Sequence, residues 1–215
     1  MTGITSTSAL WYLSRATGVV ALVLLTVVLL IGLLVTRQGR LPGLPRFAVT
    51  DLHRNLSLLS AAFVAVHVLT AVTDGYVDIP LISAFAPLTS PYGRVWLSLG
   101  AVAFDLMLAS VITSLLRRHL SRRVWRAVHL TAYACWPIAW FHSMFSSGDL
   151  LHGFLLVLAV GCALAVIAGA IWRIGSAARD VPRAERVALQ MSAVHHQAPG
   201  ASRDDARTGR SATTP

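Results

Sequence analysis

The sequence predicts an all-α integral membrane protein: a bundle of five transmembrane helices with a disordered C-terminal tail. Three observations carry that prediction. Of 215 residues, 55% are hydrophobic and 13% charged, too little polar surface to cover a water-soluble globule of this length. Five apolar stretches each approach the ~20 residues that a helix needs to cross hydrocarbon. The arginines gather between alternate stretches, as the positive-inside rule requires of cytoplasmic loops.

The first stretch, Leu10–Val35, lacks a basic leader and has a long apolar core, Gly18–Val35. Thr36-Arg37-Gln38-Gly39-Arg40 follows it in place of a small-residue cleavage site, so it reads as a retained helix and not a removed signal peptide. The second is Leu52–Val72, the third Val95–Leu116, the fourth Val124–Phe145 and the fifth Leu150–Trp172. Between the second and third, the connection from Asp74 to Arg94 holds Pro80, Pro87 and Pro91 among Ile79, Leu81, Ile82, Phe85 and Leu88. Proline breaks helix while the apolar side chains resist water, so this connection is either a lid lying on the outer membrane face or a plain loop with interfacial anchoring. Beyond Trp172 the composition turns polar. Pro182–Gln190 suits a short surface helix, and the last ~20 residues, with His195 and His196, have too little apolar content to order themselves. The expected division is a membrane domain over 8–172 and a basic tail over 173–215.

The formal net charge is +9, and all 18 basic residues are arginine. Their distribution argues against nucleic acid. Arg37, Arg40, Arg46 and Arg54 follow the first stretch; Arg117, Arg118, Arg122, Arg123 and Arg126 divide the third from the fourth; seven more lie from Arg173 onward. The other connections carry Asp74, Asp78, Asp149 and a single Arg94. This places the N-terminus outside and the C-terminus in the cytoplasm of a cell membrane, with lipid headgroups as partners of the arginines. The two cysteines, Cys135 and Cys162, sit in apolar runs without a metal-site or disulfide pattern and read as small buried side chains.

Four histidines lie within or at the ends of the apolar stretches, in two pairs: His53 with His67, 14 residues apart, and His129 with His142, 13 apart. An ionisable side chain in lipid costs at least a few kcal/mol and is by default a functional candidate. The spacings correspond to about 20 Å along a helix, so each pair presents one imidazole near each face of the membrane. The second and fourth helices run in the same direction, which puts His53 and His129 at the inner level and His67 and His142 at the outer one. Two imidazoles at each level are the axial ligands of a haem iron, and a fully ligated iron transfers electrons in preference to binding substrate. Helical phase supports the first pair and strains the second. At 100° per residue, 14 residues return to within about 40° of the same face, whereas 13 miss by about 140°. The fourth helix is therefore expected to be distorted, with Pro137, between its two histidines, as the cause.

Arg54, Arg126, Arg94 and Arg15 lie near these levels, either to pair with haem propionates or to snorkel to headgroups. Ala61, Ala62, Ala65, Ala127, Ala132 and Ala134 would admit a flat macrocycle or a neighbouring helix. His119 and His152 lack partners at their depth and read as interfacial. Asp105, in mid-span on the third helix, is a secondary functional candidate expected to be either protonated or paired inside the bundle.

These residues resemble the ferric reductase-like transmembrane domain over about residues 8–172: two histidine pairs at those spacings on parallel helices, and a basic loop leading into Trp125-Arg126-Ala127-Val128-His129. That family includes the membrane parts of NADPH oxidases and ferric reductases, and the haem-binding membrane subunit of bacterial methionine sulfoxide reductases. The resemblance implies an inner haem b on His53 and His129, an outer haem b on His67 and His142, and outward electron flow to ferric iron, oxygen or an extracytoplasmic redox partner. It also implies two departures: one N-terminal helix fewer than the usual six, and no flavin or nucleotide domain after Trp172. The donor would then be a separate cytoplasmic flavoprotein or membrane quinol, with flavin reaching the chain only through that partner. A membrane anchor of a methionine sulfoxide reductase system is a second reading within this class. A transporter whose histidines carry protons or metal is a reading outside it.

Overall fold

A computed structural model describes residues 2–35, 45–74, 80–89, 93–146 and 148–197, and those residues are almost wholly helical. The helices are α1 (Thr2–Val35), α2 (Arg46–Thr73), α3 (Arg94–Leu115), α4 (Arg122–Leu130), α5 (Ala132–Ser146) and α6 (Gly153–Gln197). Four spans are long and apolar enough to cross a membrane: Ala9–Leu33, Phe47–Thr73, Arg94–Leu115 and Gly153–Gly175.

The expected fourth span is the exception. Val124–Phe145 is not one helix but two, α4 of 9 residues and α5 of 15, joined at Thr131. The distortion expected at Pro137 lies six residues earlier, and α5 runs through Pro137. Thr131 itself makes the break. Its N–H donates to Val128 O at 3.0 Å and its hydroxyl to the same oxygen at 2.7 Å, while its own carbonyl accepts from the N–H groups of Ala134 and Cys135, each at 2.9 Å. Bonding to the third residue back winds the chain by about 120° per residue instead of 100°, the direction that makes up the phase shortfall between His129 and His142.

Residues 1–169 form one compact unit. Within it α1 and α2 are antiparallel neighbours, since Gly18 faces His67 and Gly32 faces His53. The core is thin and divided. Leu22, Met144, Leu150 and Ala159 form one buried cluster, and Ala103, Met107 and Cys135 another. Large apolar side chains point outward instead, Leu69 at 58% exposure, Leu164 at 61% and Phe154 at 77%, as lipid-solvated helices require. Several hydroxyls inside the spans are returned to their own helices: Thr26 to Leu22 O at 2.8 Å, Thr70 to Val66 O at 2.7 Å and Thr113 to Ala109 O at 2.7 Å, which satisfies those donors without water; the buried hydroxyls of Ser60 and Ser110 have no hydrogen-bond partner among the described residues.

Two indoles tie helices together. Trp136 Nε1 donates to Thr26 Oγ1 at 2.9 Å, with both residues buried, and Trp140 Nε1 donates to Ala159 O at 3.0 Å. Trp136→Phe deletes the donor and, since phenyl is smaller than indole, also opens space at a buried position, so it is expected to cost at least the ~0.6–1.7 kcal/mol of an intramembrane hydrogen bond, read as a lowered unfolding midpoint in detergent. An unchanged midpoint would show that the bond contributes nothing.

The second unit, residues 170–215, is described only over 170–197, all of it helix. The tail expected to be largely disordered from 173 is thus helical to Gln197, consistent with its alanine, arginine, glutamate, leucine and glutamine content. The expectation for 198–215 lies outside the described residues.

Candidate haem-ligand site

The His67–His142 pair, the one expected at the outer level, is built by four helices. On α2, the Nδ1–H of His67 donates to Ser14 O of α1 at 2.7 Å; on α5, the Nδ1–H of His142 donates to Trp96 O of α3 at 2.8 Å. A ring nitrogen committed as donor to a carbonyl fixes the tautomer, so Nε2 carries the lone pair. One turn beyond each accepting carbonyl stands a glycine. A Cβ at Gly18 would come within 3.0 Å of the His67 ring, and one at Gly100 within 2.6 Å of His142. The glycines let each imidazole lie against a neighbouring backbone.

The inner level repeats this arrangement on α1 in looser form. His53 faces the α1 backbone at Val28, with Gly32 one turn on at 3.4 Å, but its Nδ1 does not close to a hydrogen bond. Gly18 and Gly32 are separated by the same 14 residues as His53 and His67. His129 is held differently. Its ring stacks on Trp125 at 5.0 Å and 16°, and Arg117 lies over that indole at 4.4 Å.

Across the bundle, the His53 and His129 ring centroids are 6.3 Å apart with planes at 75°, and His67 and His142 show the same 6.3 Å and 75°. An imidazole nitrogen binds a first-row metal at about 2.0 Å and its ring centre lies about 1.15 Å further on, so two rings trans across one iron have centroids about 6.3 Å apart. A tetrahedral ion would draw the same rings to about 5.1 Å and would need further ligands. Among the described residues, no group of three or more His, Cys, Asp or Glu side chains gathers to supply them. The donor set and its spacing fit a haem iron with both axial positions filled.

The outer pair opens into a cavity of about 300 Å³ that also reaches Gly18, Gly100, Met107 and Cys135. Part of the Asp74–Arg94 connection closes over it. Leu81–Ala84 is a short 3-10 turn whose buried Ser83 lines the cavity, and Phe85 packs on Phe104 at 5.4 Å. Positions 75–79 and 90–92 of that connection lie outside the described residues.

Among the arginines, Arg15 reaches the outer cavity, stacked over Trp11 at 4.0 Å and ion-paired with Asp149. Arg94, by contrast, begins α3 as an exposed residue and does not line the cavity. Arg54 and Arg126 are exposed and lie near His53 and His129 in sequence. His152 is exposed, with Nδ1 3.2 Å from Gly148 O. Asp105 is half-buried on α3 and has no ion-pair partner among the described residues, so of the two states expected for it the paired one is not found there. Sequence reasoning missed Ser14, Gly18, Gly32, Trp96, Gly100, Arg117 and the stacking role of Trp125. The repeated 14-residue interval of Gly18 and Gly32 was the available signal.

No curated protein and no solved structure matches the chain. The family described as ferric reductase like transmembrane component matches residues 17–140, more than half the chain and all of three histidines of the quartet. That match, over helices that carry the paired imidazoles, makes this chain a member of the ferric reductase-like transmembrane family.

Proposed function

We propose that the chain is a transmembrane electron-transfer subunit holding two b-type haems, the inner on His53 and His129 and the outer on His67 and His142. The observation that carries this reading is the 6.3 Å centroid spacing at both levels, the value two imidazoles adopt across one iron. When bound, each haem would supply one-electron chemistry, with His53 and His129 or His67 and His142 as the residues that hold it.

The chain's own residues do the rest. The carbonyls of Ser14 and Trp96 fix the tautomer of the outer histidines, the glycines admit the rings, and Arg15, Arg54 and Arg126 offer cationic partners for propionates. In this reading α4 and α5 together make the fourth of five crossings, with their 25 residues 122–146 matching the thickness of hydrocarbon. The arginine distribution then puts the N-terminus outside and the C-terminus in the cytoplasm of the cell membrane.

The donor is a separate flavoprotein or quinol on the inner side, and the acceptor is ferric iron, oxygen or an outer redox protein. The methionine sulfoxide reductase anchor is the same chemistry with a protein acceptor. A histidine-based proton or metal transporter is the less favoured reading, because trans-spaced ring pairs suit an iron in a macrocycle better than a bare ion.

The test is a reduced-minus-oxidised spectrum of purified protein with a haem count. Two haems b per chain, titrating as two components, are expected. Protein folded in detergent but colourless at all potentials defeats the reading.

A further inference from the structure

Three of the four histidines face a backbone carbonyl with a glycine one turn beyond it: Ser14 and Gly18 for His67, Val28 and Gly32 for His53, Trp96 and Gly100 for His142. The fourth breaks the pattern. Fourteen residues after Gly100, where a fourth glycine would stand, α3 has Ser114. The Ser114 hydroxyl accepts the Trp125 indole N–H at 3.4 Å. Nδ1 of His129 is buried without a hydrogen-bond partner among the described residues.

An axial imidazole is normally oriented by a partner on its second nitrogen, and without one the ring is free to swing about its own bonds. At His129 the restraint available is the indole. Trp125 lies four residues earlier on α4, the interval at which helix side chains meet, and the two rings are nearly parallel at 16°. The indole is itself held at two places, by Ser114 at its nitrogen and by Arg117 over its ring.

From this geometry we infer that Trp125 is the positioning residue of the inner centre, setting the plane of the His129 imidazole by stacking where the outer centre uses hydrogen bonds to carbonyls. The inference rests on the haem reading above. It makes the two centres chemically unequal. The outer ligands both donate from Nδ1, which raises their basicity and stabilises ferric iron, whereas the inner centre has at least one ligand without that bond and a cation two contacts away.

The test compares wild type, Trp125→Ala and Trp125→Phe in the haem-loaded full chain by electron paramagnetic resonance and redox titration. Ring planes near perpendicular, 75° at both levels, predict strongly anisotropic low-spin ferric signals from both centres. In Trp125→Ala the inner signal is expected to move or broaden and the inner midpoint to shift, with the outer signal and midpoint unchanged. Trp125→Phe, which keeps a stacking face, is expected to restore both. Loss of the inner haem in Trp125→Ala alone also supports the assignment. An unchanged inner signal in Trp125→Ala, equal movement of both centres, or loss of the inner haem in both variants overturns it. A wild-type protein without haem defeats the earlier reading instead, and is recognised before any variant is made.

Discussion

His142→Ala is expected to leave one haem per chain in place of two and to abolish electron delivery to an outer acceptor. The side chain combines two functions that no neighbour duplicates: its ring centre stands 6.3 Å from that of His67, and its Nδ1–H is committed to Trp96 O at 2.8 Å. Alanine removes the axial donor and leaves the cavity about His67, Met107 and Cys135 in place. The inner pair, one helix segment away beyond Thr131, keeps its geometry. The measurement is a haem count together with a redox titration, in which the component assigned to the outer level disappears and the other remains. His152→Ala is the matched control, because that ring is exposed and its Nδ1 lies 3.2 Å from Gly148 O of its own turn. Two components persisting in His142→Ala, or a loss shared with His152→Ala, would remove His142 from the site.

A single methyl group at position 100 is expected to do nearly as much. In Gly100→Ala the new Cβ would stand 2.6 Å from His142 Cε1 and 2.7 Å from Nδ1. The ring cannot retreat without breaking its bond to Trp96, one turn earlier on α3. Forcing a methyl into a filled contact costs about 1–3 kcal/mol, which is roughly five- to 150-fold in retention of the outer haem. The distances order a series. Gly18→Ala, at 3.0 Å from His67, is expected to be milder; Gly32→Ala, at 3.4 Å from His53, close to neutral; and Gly161→Ala, with nothing within 4 Å, neutral or slightly stabilising because alanine is the better helix former. Haem retention after detergent exchange reads the series directly. A Gly100→Ala protein that keeps its outer haem as firmly as Gly161→Ala would mean that His142 does not lie against α3.

The pairing of imidazoles was legible in the sequence because it depends on residue spacing, and spacing along a helix converts to depth with few assumptions. The distortion between His129 and His142 was legible as a need but not as a place. A proline advertises a kink, yet the interruption is made by the backbone and hydroxyl of Thr131, a residue type that helices also carry without a break. The division of the fourth stretch into α4 and α5 escaped for the same reason, since hydropathy averages over a break of one residue. The cradle of Ser14 and Gly18 is encoded in a 14-residue echo between α1 and α2, readable in principle, but a glycine announces only that room exists and not what fills it. Arg94 looked suitable by position in an acidic loop and lies away from the cavity, while Arg15, flanked by Trp11 and Asp149, is the cation beside it.

The rungs on α1 and α2 belong to one antiparallel hairpin, so the two helices act as a caliper for both levels at once. Sliding α1 along α2 by a turn, about 5.4 Å, would carry both Gly18 and Gly32 away from their histidines together. Half of each centre is therefore gauged by one sliding fit that must be right at both depths or at neither, and loading of the two levels is mechanically coupled even though their irons share no ligand.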